Sequence, residues 1–405
     1  MTPEDVGFSS ARLERIGELC HRYVDSGRLP CTQVAVARSG HTIYQDTYGM
    51  ADIEGGEALR DDAIFRIYSM TKPVTSIALM QLYEQGLILL ENPVGRFIPE
   101  LADPQVWVAG DLETYDTRPA ARQITVRDLL THTSGLTYGF QHQHPIDAMY
   151  RRLGLGDLNR PDYDLAEAMV HLGELPLLFD PGAAWNYSVS TDVCGRIVEV
   201  VSGQNLDDYL HEHVFEPLGM VDTGFSVGDG QGDRFTSNYF QKPADKTLHI
   251  VDSKDESSYL SPPKFLSGGG GLVSTLSDYM RFCQALLQGG ALEGERIIGR
   301  KTLSYMTQNH LPGHKNLNDL GQNTFSETAM EGMGFGLGFS VLQDAAANGA
   351  VSTSGEFAWG GAASTTFWID PFERLAVVFM TQFMPSNYYP IRRHLKAVVY
   401  QALDD

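Results

Sequence analysis

Cysteine is scarce in this chain. Four are present in 405 residues, at Cys20, Cys31, Cys194 and Cys283, and none belongs to a CxxC pair. That excludes a disulfide-stapled scaffold and a zinc knuckle, and it fits a reduced, cytoplasmic protein. Positive charge is also short: Lys and Arg number 30 against 51 Asp and Glu, a formal net charge of −21. Nucleic acids and anionic membranes both require a cationic face, so neither is expected as a partner. No run of 18 apolar residues suggests a membrane span. The start, Met1 to Gly7, shows no basic patch followed by an apolar stretch, so no signal peptide is expected. Repeats, heptads and low-complexity tracts are missing. So are HExxH and Cys/His clusters. His142/His144 lie in a polar stretch, and His211/His213 are spaced to point apart on a helix, so no metal site is expected. No phosphate-binding glycine pattern follows a strand, and no cofactor is expected.

Apolar residues make up 42% of the chain, enough for a sizeable core. The length allows two or three domains, or one large domain with an inserted lobe. The spacing predicts a helix after Ser9 or Ser10, with Leu13, Ile16, Leu19, Tyr23 and Val24 on one face. A hairpin follows, Gln33 to Ala37 and Thr42 to Tyr48, joined by Ser39-Gly40. Ala63 to Tyr68 reads as extended. From Ser69 to about Gly86 runs a helix that is apolar nearly all round and therefore central. Residues 87–224 show mostly helical patterns, starting near Thr125, Asp164, Ser190 and Asn205. Later come a helix capped at Ser277, another over Arg300 to His310, and a polar loop over 311–333 that is expected to border a site. Strands are predicted over Phe335 to Leu342, Ala363 to Ile369 and Leu375 to Phe383, and a closing helix over Ile391 to Leu403. Strand and helix runs are segregated, which predicts an α+β fold rather than a doubly wound parallel one. The expected organisation is a sheet domain, 1–86 and 225–405, a mainly helical domain, 87–224, and an active site in the cleft between them.

One group of residues carries the chemistry. Ser69-Met70-Thr71-Lys72 is an S-x-x-K at a helix start, where residues three apart share a face. Lys72 is the only lysine in the first 241 residues and lies on an apolar helix. Burial disfavours its charged form, so neutral Lys72 can take the Ser69 proton. The helix start adds N–H donors for a developing oxyanion. A chain of this size holds roughly one S-x-x-K by chance. A second one, Ser261-Pro262-Pro263-Lys264, cannot form a helical turn through its prolines. Tyr187, in Asn186-Tyr187-Ser188-Val189, reads alone as a core tyrosine. Beside Ser69 and Lys72 it becomes a proton shuttle, with its pKa expected to fall toward neutrality next to a cation. Trp359-Gly360-Gly361-Ala362 is either a tight bend before a strand or a place where backbone meets ligand and supplies an oxyanion donor. Gly224-Phe225-Ser226-Val227-Gly228 matches the G-x-S-x-G elbow, but the Gly- and Asp-rich stretch after it is a loop rather than a helix.

Taken in order, these pieces resemble the serine β-lactamase and penicillin-binding protein superfamily, and family VIII carboxylesterases in particular. Leu129 to Leu136 (LLTHTSGL), Glu216 to Met220 (EPLGM) and Ser267 to Leu272 (SGGGGL) add to the resemblance, which spans about residues 5–400. It implies a β-lactamase/transpeptidase-like fold, with an antiparallel sheet flanked by helices. It implies Ser69 as acylated nucleophile, Lys72 as base and Tyr187 as proton shuttle, with the backbone N–H groups of Ser69 and Ala362 as oxyanion hole. Tyr138, Trp359, Gly360 and Gly361 would bind a small-molecule ester. Where lactamases carry a cationic triplet, this chain has Trp359-Gly360-Gly361, and the usual Tyr-x-Asn reads Tyr187-Ser188-Val189. Both departures favour uncharged short-chain esters. An acyltransferase, a weak β-lactamase and a non-catalytic ligand-binding module remain as alternatives.

Overall fold

The computed structural model describes residues 2–156, 160–242, 244, 246–322 and 325–404. Its centre is an antiparallel sheet of eight strands: β1 (Cys31–Arg38), β2 (His41–Asp52), β3 (Glu57–Ala58), β4 (Met333–Phe335), β5 (Ser340–Leu342), β6 (Phe357–Gly360), β7 (Thr366–Asp370) and β8 (Leu375–Met380). Their order is β4-β5-β6-β7-β8-β1-β2-β3. The two ends of the chain thus meet at the β1–β8 seam, where Gln33 pairs with Met380 and Arg38 with Leu375.

Alternation along the strands divides the core. Val34, Val36, Trp368, Val377 and Phe379 face α1 (Ser10–Asp25) and the closing helix. Ala35, Ala37, Phe367, Ile369, Ala376 and Val378 face the opposite cluster, which holds the central helix. That central helix is α2 (Thr71–Glu84), followed in chain order by α3 (Ser190–Ser202), α4 (Leu276–Leu287) and α5 (Ile391–Tyr400). Every residue of α2 from Thr71 to Leu82 is buried, as its all-round apolar sequence requires. Pro73 sits in its first turn, where no amide bond is lost.

The α+β, β-lactamase/transpeptidase-like fold is as expected, with boundary corrections. Phe335 to Leu342 is not one strand, because β4 and β5 fold back on each other, with Met333 opposite Leu342. The strand expected to start at Ala363 begins at Thr366, and the helix expected to start at Ser277 is capped by Thr275, whose side chain accepts from the Asp278 N–H. The helix from Arg300 ends at Met306. A hairpin, Gln105–Gly110 with Tyr115–Pro119, lies unforeseen among the helices. The expected 311–333 loop contains the short turn Leu317–Leu320, and its positions 323 and 324 lie outside the described residues.

Candidate active site

Ser69 sits in a 3-10 turn, Tyr68–Met70, that leads into α2. Tyr68 just before it has φ +42, in the left-handed region that bulky side chains avoid. Such strain is held only where the surroundings fix it, and it aims Ser69 out of the core. One turn on, Lys72 is 2% exposed. Its Nζ donates to the Gly269 carbonyl at 2.6 Å and to Ser69 Oγ at 3.2 Å. Burial lowers its pKa to about 7, and the charges of Asp192 and Glu327 offset only part of that fall.

Tyr187 arrives from a different part of the chain. The extended segment before α3 is tied to the 132–138 loop: Asn186 N donates to His132 O at 2.9 Å, and Val189 N to Thr137 O at 3.2 Å. This brings the Tyr187 hydroxyl to 2.5 Å from Ser69 Oγ, to which it donates. The ring is boxed by aromatic edges: His132 at 5.2 Å, Tyr138 at 5.1 Å and Trp359 at 5.5 Å between centroids. The expected shift of Tyr187 toward neutrality is reversed. Burial, reinforced by the Glu327 charge, pushes its pKa well above the usual phenol value. The cation that was to favour the phenolate is Lys72, whose charged form burial itself disfavours, so Tyr187 keeps its proton and donates to Ser69.

Sequence reasoning overlooked three polar side chains at this site. Asp192, in the first turn of α3, accepts from Ser267 Oγ at 2.6 Å and from Gly269 N at 3.0 Å. It thereby fixes the carbonyl that holds Lys72, and burial raises its own pKa. Glu327 lies in the 311–333 loop, which was the only signal for it. Arg392 on α5 donates to Glu327 Oε2 at 2.9 Å, to Gly361 O at 2.9 Å and to Thr365 O at 2.7 Å.

Arg392 also explains the paired glycines. A Cβ on Gly360 would lie 2.5 Å from its guanidinium, and one on Gly361 would lie 2.4 Å from the Ile67 carbonyl. The loop after β6 therefore packs directly against the segment leading to Ser69. Ala362 follows, and its N–H donates to no backbone carbonyl among the described residues.

Ser69, Tyr187, Tyr138, Asp192, Glu327, Ala362 and the glycines 269–271 line one cleft. Trp359, Gly360 and Gly361 are outside that lining. The pleat of β6 turns Trp359 inward, against Tyr187 and Phe335, so it backs Tyr187 rather than walling the cleft. Ser226 lies in a bend followed by loop and a single 3-10 turn, Gly232–Arg234, rather than by the α-helix that an elbow needs, and Lys264 is an exposed partner of Asp162. Among the described residues no group of three His, Cys, Asp or Glu side chains is placed to hold a metal ion.

Residues 17–401 match the Beta-lactamase family. The chain belongs to that family. It is a serine hydrolase by this membership, and the resemblance to family VIII carboxylesterases is borne out by its relatives. It is 30% identical over 395 residues to Esterase EstB of Burkholderia gladioli, covering 93% of this chain and 91% of that one. It is 36% identical over 376 residues to Protein Rv1367c of Mycobacterium tuberculosis, covering 92% and 89%. Among solved structures it resembles EstCE1, a hydrolase with promiscuous acyltransferase activity, at a TM-score of 0.81 and 26% identity over 96% of this chain and 99% of that one.

Proposed function

We propose that this family member is a carboxylesterase that hydrolyses short-chain esters through an acyl-enzyme on Ser69. The observation that carries the reading is the convergence on Ser69 Oγ of the Lys72 amine at 3.2 Å and the Tyr187 hydroxyl at 2.5 Å. Neutral Lys72 takes the Ser69 proton as Oγ attacks the ester carbonyl. The charge that develops on the carbonyl oxygen falls to the N–H groups of Ser69 and Ala362. Tyr187 gives its proton to the leaving alkoxide and regains one from the Lys72 ammonium. Water then enters, loses a proton to the same pair and releases the acid, restoring Ser69. Tyr138 is the substrate-facing residue of the expected set. Trp359, Gly360 and Gly361 act from behind, by setting Tyr187 and Ala362.

On this reading the small-molecule ester lies in the cleft between the sheet part, 1–86 and 225–405, and the mainly helical part, 87–224. Support comes from the lining, to which Ser69 and Ala362 contribute from one and Tyr138, Tyr187 and Asp192 from the other. A cytoplasmic setting is supported by the four cysteines, all buried and unbridged. No helix among the described residues is long and apolar enough to cross a membrane. A second reading, acyl transfer to an alcohol, is favoured by the likeness to EstCE1.

The test is kcat/KM for short neutral esters and for a cephalosporin on one preparation, with and without added alcohols. Efficient ester turnover with a much slower cephalosporin supports the esterase. Comparable values contradict it. An ester product in place of acid identifies the transferase.

A further inference from the structure

The cleft holds a second cation whose partners are unusual. Arg160 lines it together with Tyr259 and the glycines 270 and 271. Its guanidinium lies 3.6 Å from the centre of the Tyr259 ring. Its Nη2 donates to Phe225 O at 2.9 Å and to Gly271 O at 3.1 Å, and its Nη1 to Ser258 O at 3.2 Å. All three acceptors are neutral carbonyls, and no carboxylate pairs with Arg160 among the described residues. Carbonyls and an aromatic face fix the group in place without cancelling its charge, and a guanidinium offers five N–H donors, more than these bonds use.

The Ala362 side of the cleft is different, because its carboxylate and its guanidinium are spent on each other: Arg392 donates to Glu327 Oε2 at 2.9 Å and to Gly361 O at 2.9 Å. An anionic group on a substrate is therefore drawn to the wall of Tyr259 and Arg160, where the guanidinium is held by carbonyls alone. We propose that Arg160 is a specificity-determining residue that binds a carboxylate, or an anion of like size, carried by the ester. This rests on the esterase reading and narrows its substrate class, short-chain esters, to those that also carry an anionic group.

Two substrate pairs locate the anion. The 4-nitrophenyl monoester of succinic acid against 4-nitrophenyl pentanoate places it on the acyl side. 4-Acetoxybenzoate against phenyl acetate places it on the alcohol side. In Arg160→Gln the anionic-to-neutral ratio of kcat/KM is expected to fall about tenfold to hundredfold for one pair, as for loss of one charge-assisted hydrogen bond. Arg160→Lys should keep part of the ratio. An unchanged ratio in both pairs, or an equal fall for neutral and anionic esters alike, overturns the proposal and leaves Arg160 as a latch between loops. Should Arg160→Gln fail to fold, the wild type decides: glutarate should inhibit neutral-ester turnover more strongly than glutaramide, and equal or weaker inhibition overturns the proposal. Failure of the wild type to hydrolyse even the neutral esters is a different result, and it removes the esterase reading itself.

Discussion

Lys72 is where burial and chemistry meet. Only its neutral form can accept the Ser69 proton, so with a pKa of about 7 its competent fraction grows as pH rises. The expected kcat/KM profile climbs through pH 7 and levels off above it. A flat profile from pH 5.5 to 8.5 would remove Lys72 as base. The same shift costs stability. The folded pKa lies below the ordinary 10.5, so the cost is full below about pH 7 and fades as pH rises toward 10.5. Lys72→Met should therefore be inactive yet resist urea better than wild type, most clearly at pH 6. Trp359 makes the opposite case, an aromatic 2% exposed whose work is packing. Trp359→Ala should cost about 3–5 kcal/mol and lower kcat through a loosened Tyr187. Trp359→Phe should leave the ester-to-cephalosporin ratio within about twofold. A larger change in that ratio would return Trp359 to the substrate wall.

Helix α5 reaches the site from the far side of the sheet. Its Arg392 side chain is 15% exposed and that of its partner Glu327 is 0% exposed. Losing one member of such a pair strands the other in the interior, at about 3 kcal/mol. The guanidinium also holds Gly361 O, so Arg392→Gln should displace the Ala362 N–H and lower kcat with little change in KM. A rise in KM at constant kcat would argue that Arg392 binds substrate instead. None of this was legible in the sequence, because Glu327 and Arg392 are 65 residues apart and meet only through tertiary packing. The Ser69 turn was legible because an S-x-x-K spacing is local to one helix face. The hairpin of β1 and β2 was legible because a Ser-Gly turn joins two strand-like segments rich in β-branched and aromatic residues. The inward direction of Trp359 was not, since alternation shows that strand residues take turns but not which set faces the cleft. Tyr187 was found by its neighbours, yet its ionisation was misjudged. The aromatic box around it is assembled from residues 132, 138 and 359.

At the scale of the molecule, the site exists only when distant chain segments close on one another. Both termini share the central sheet, residues 69–72 come from the start of the helix buried against one of its faces, Tyr187 from the helical span, and Ala362 from the turn between β6 and β7. The Beta-lactamase family match over 17–401 covers all of these together. The central claim is that they converge to make Ser69, and not the Ser226 of the G-x-S-x-G decoy, the acylated atom. The direct test is a fluorophosphonate adduct located by peptide mass mapping, alongside ester turnover of Ser69→Ala and Ser226→Ala. The account predicts one adduct, on Ser69, with turnover abolished in Ser69→Ala and largely kept in Ser226→Ala. An adduct on Ser226, or ester turnover that survives in Ser69→Ala, would contradict it.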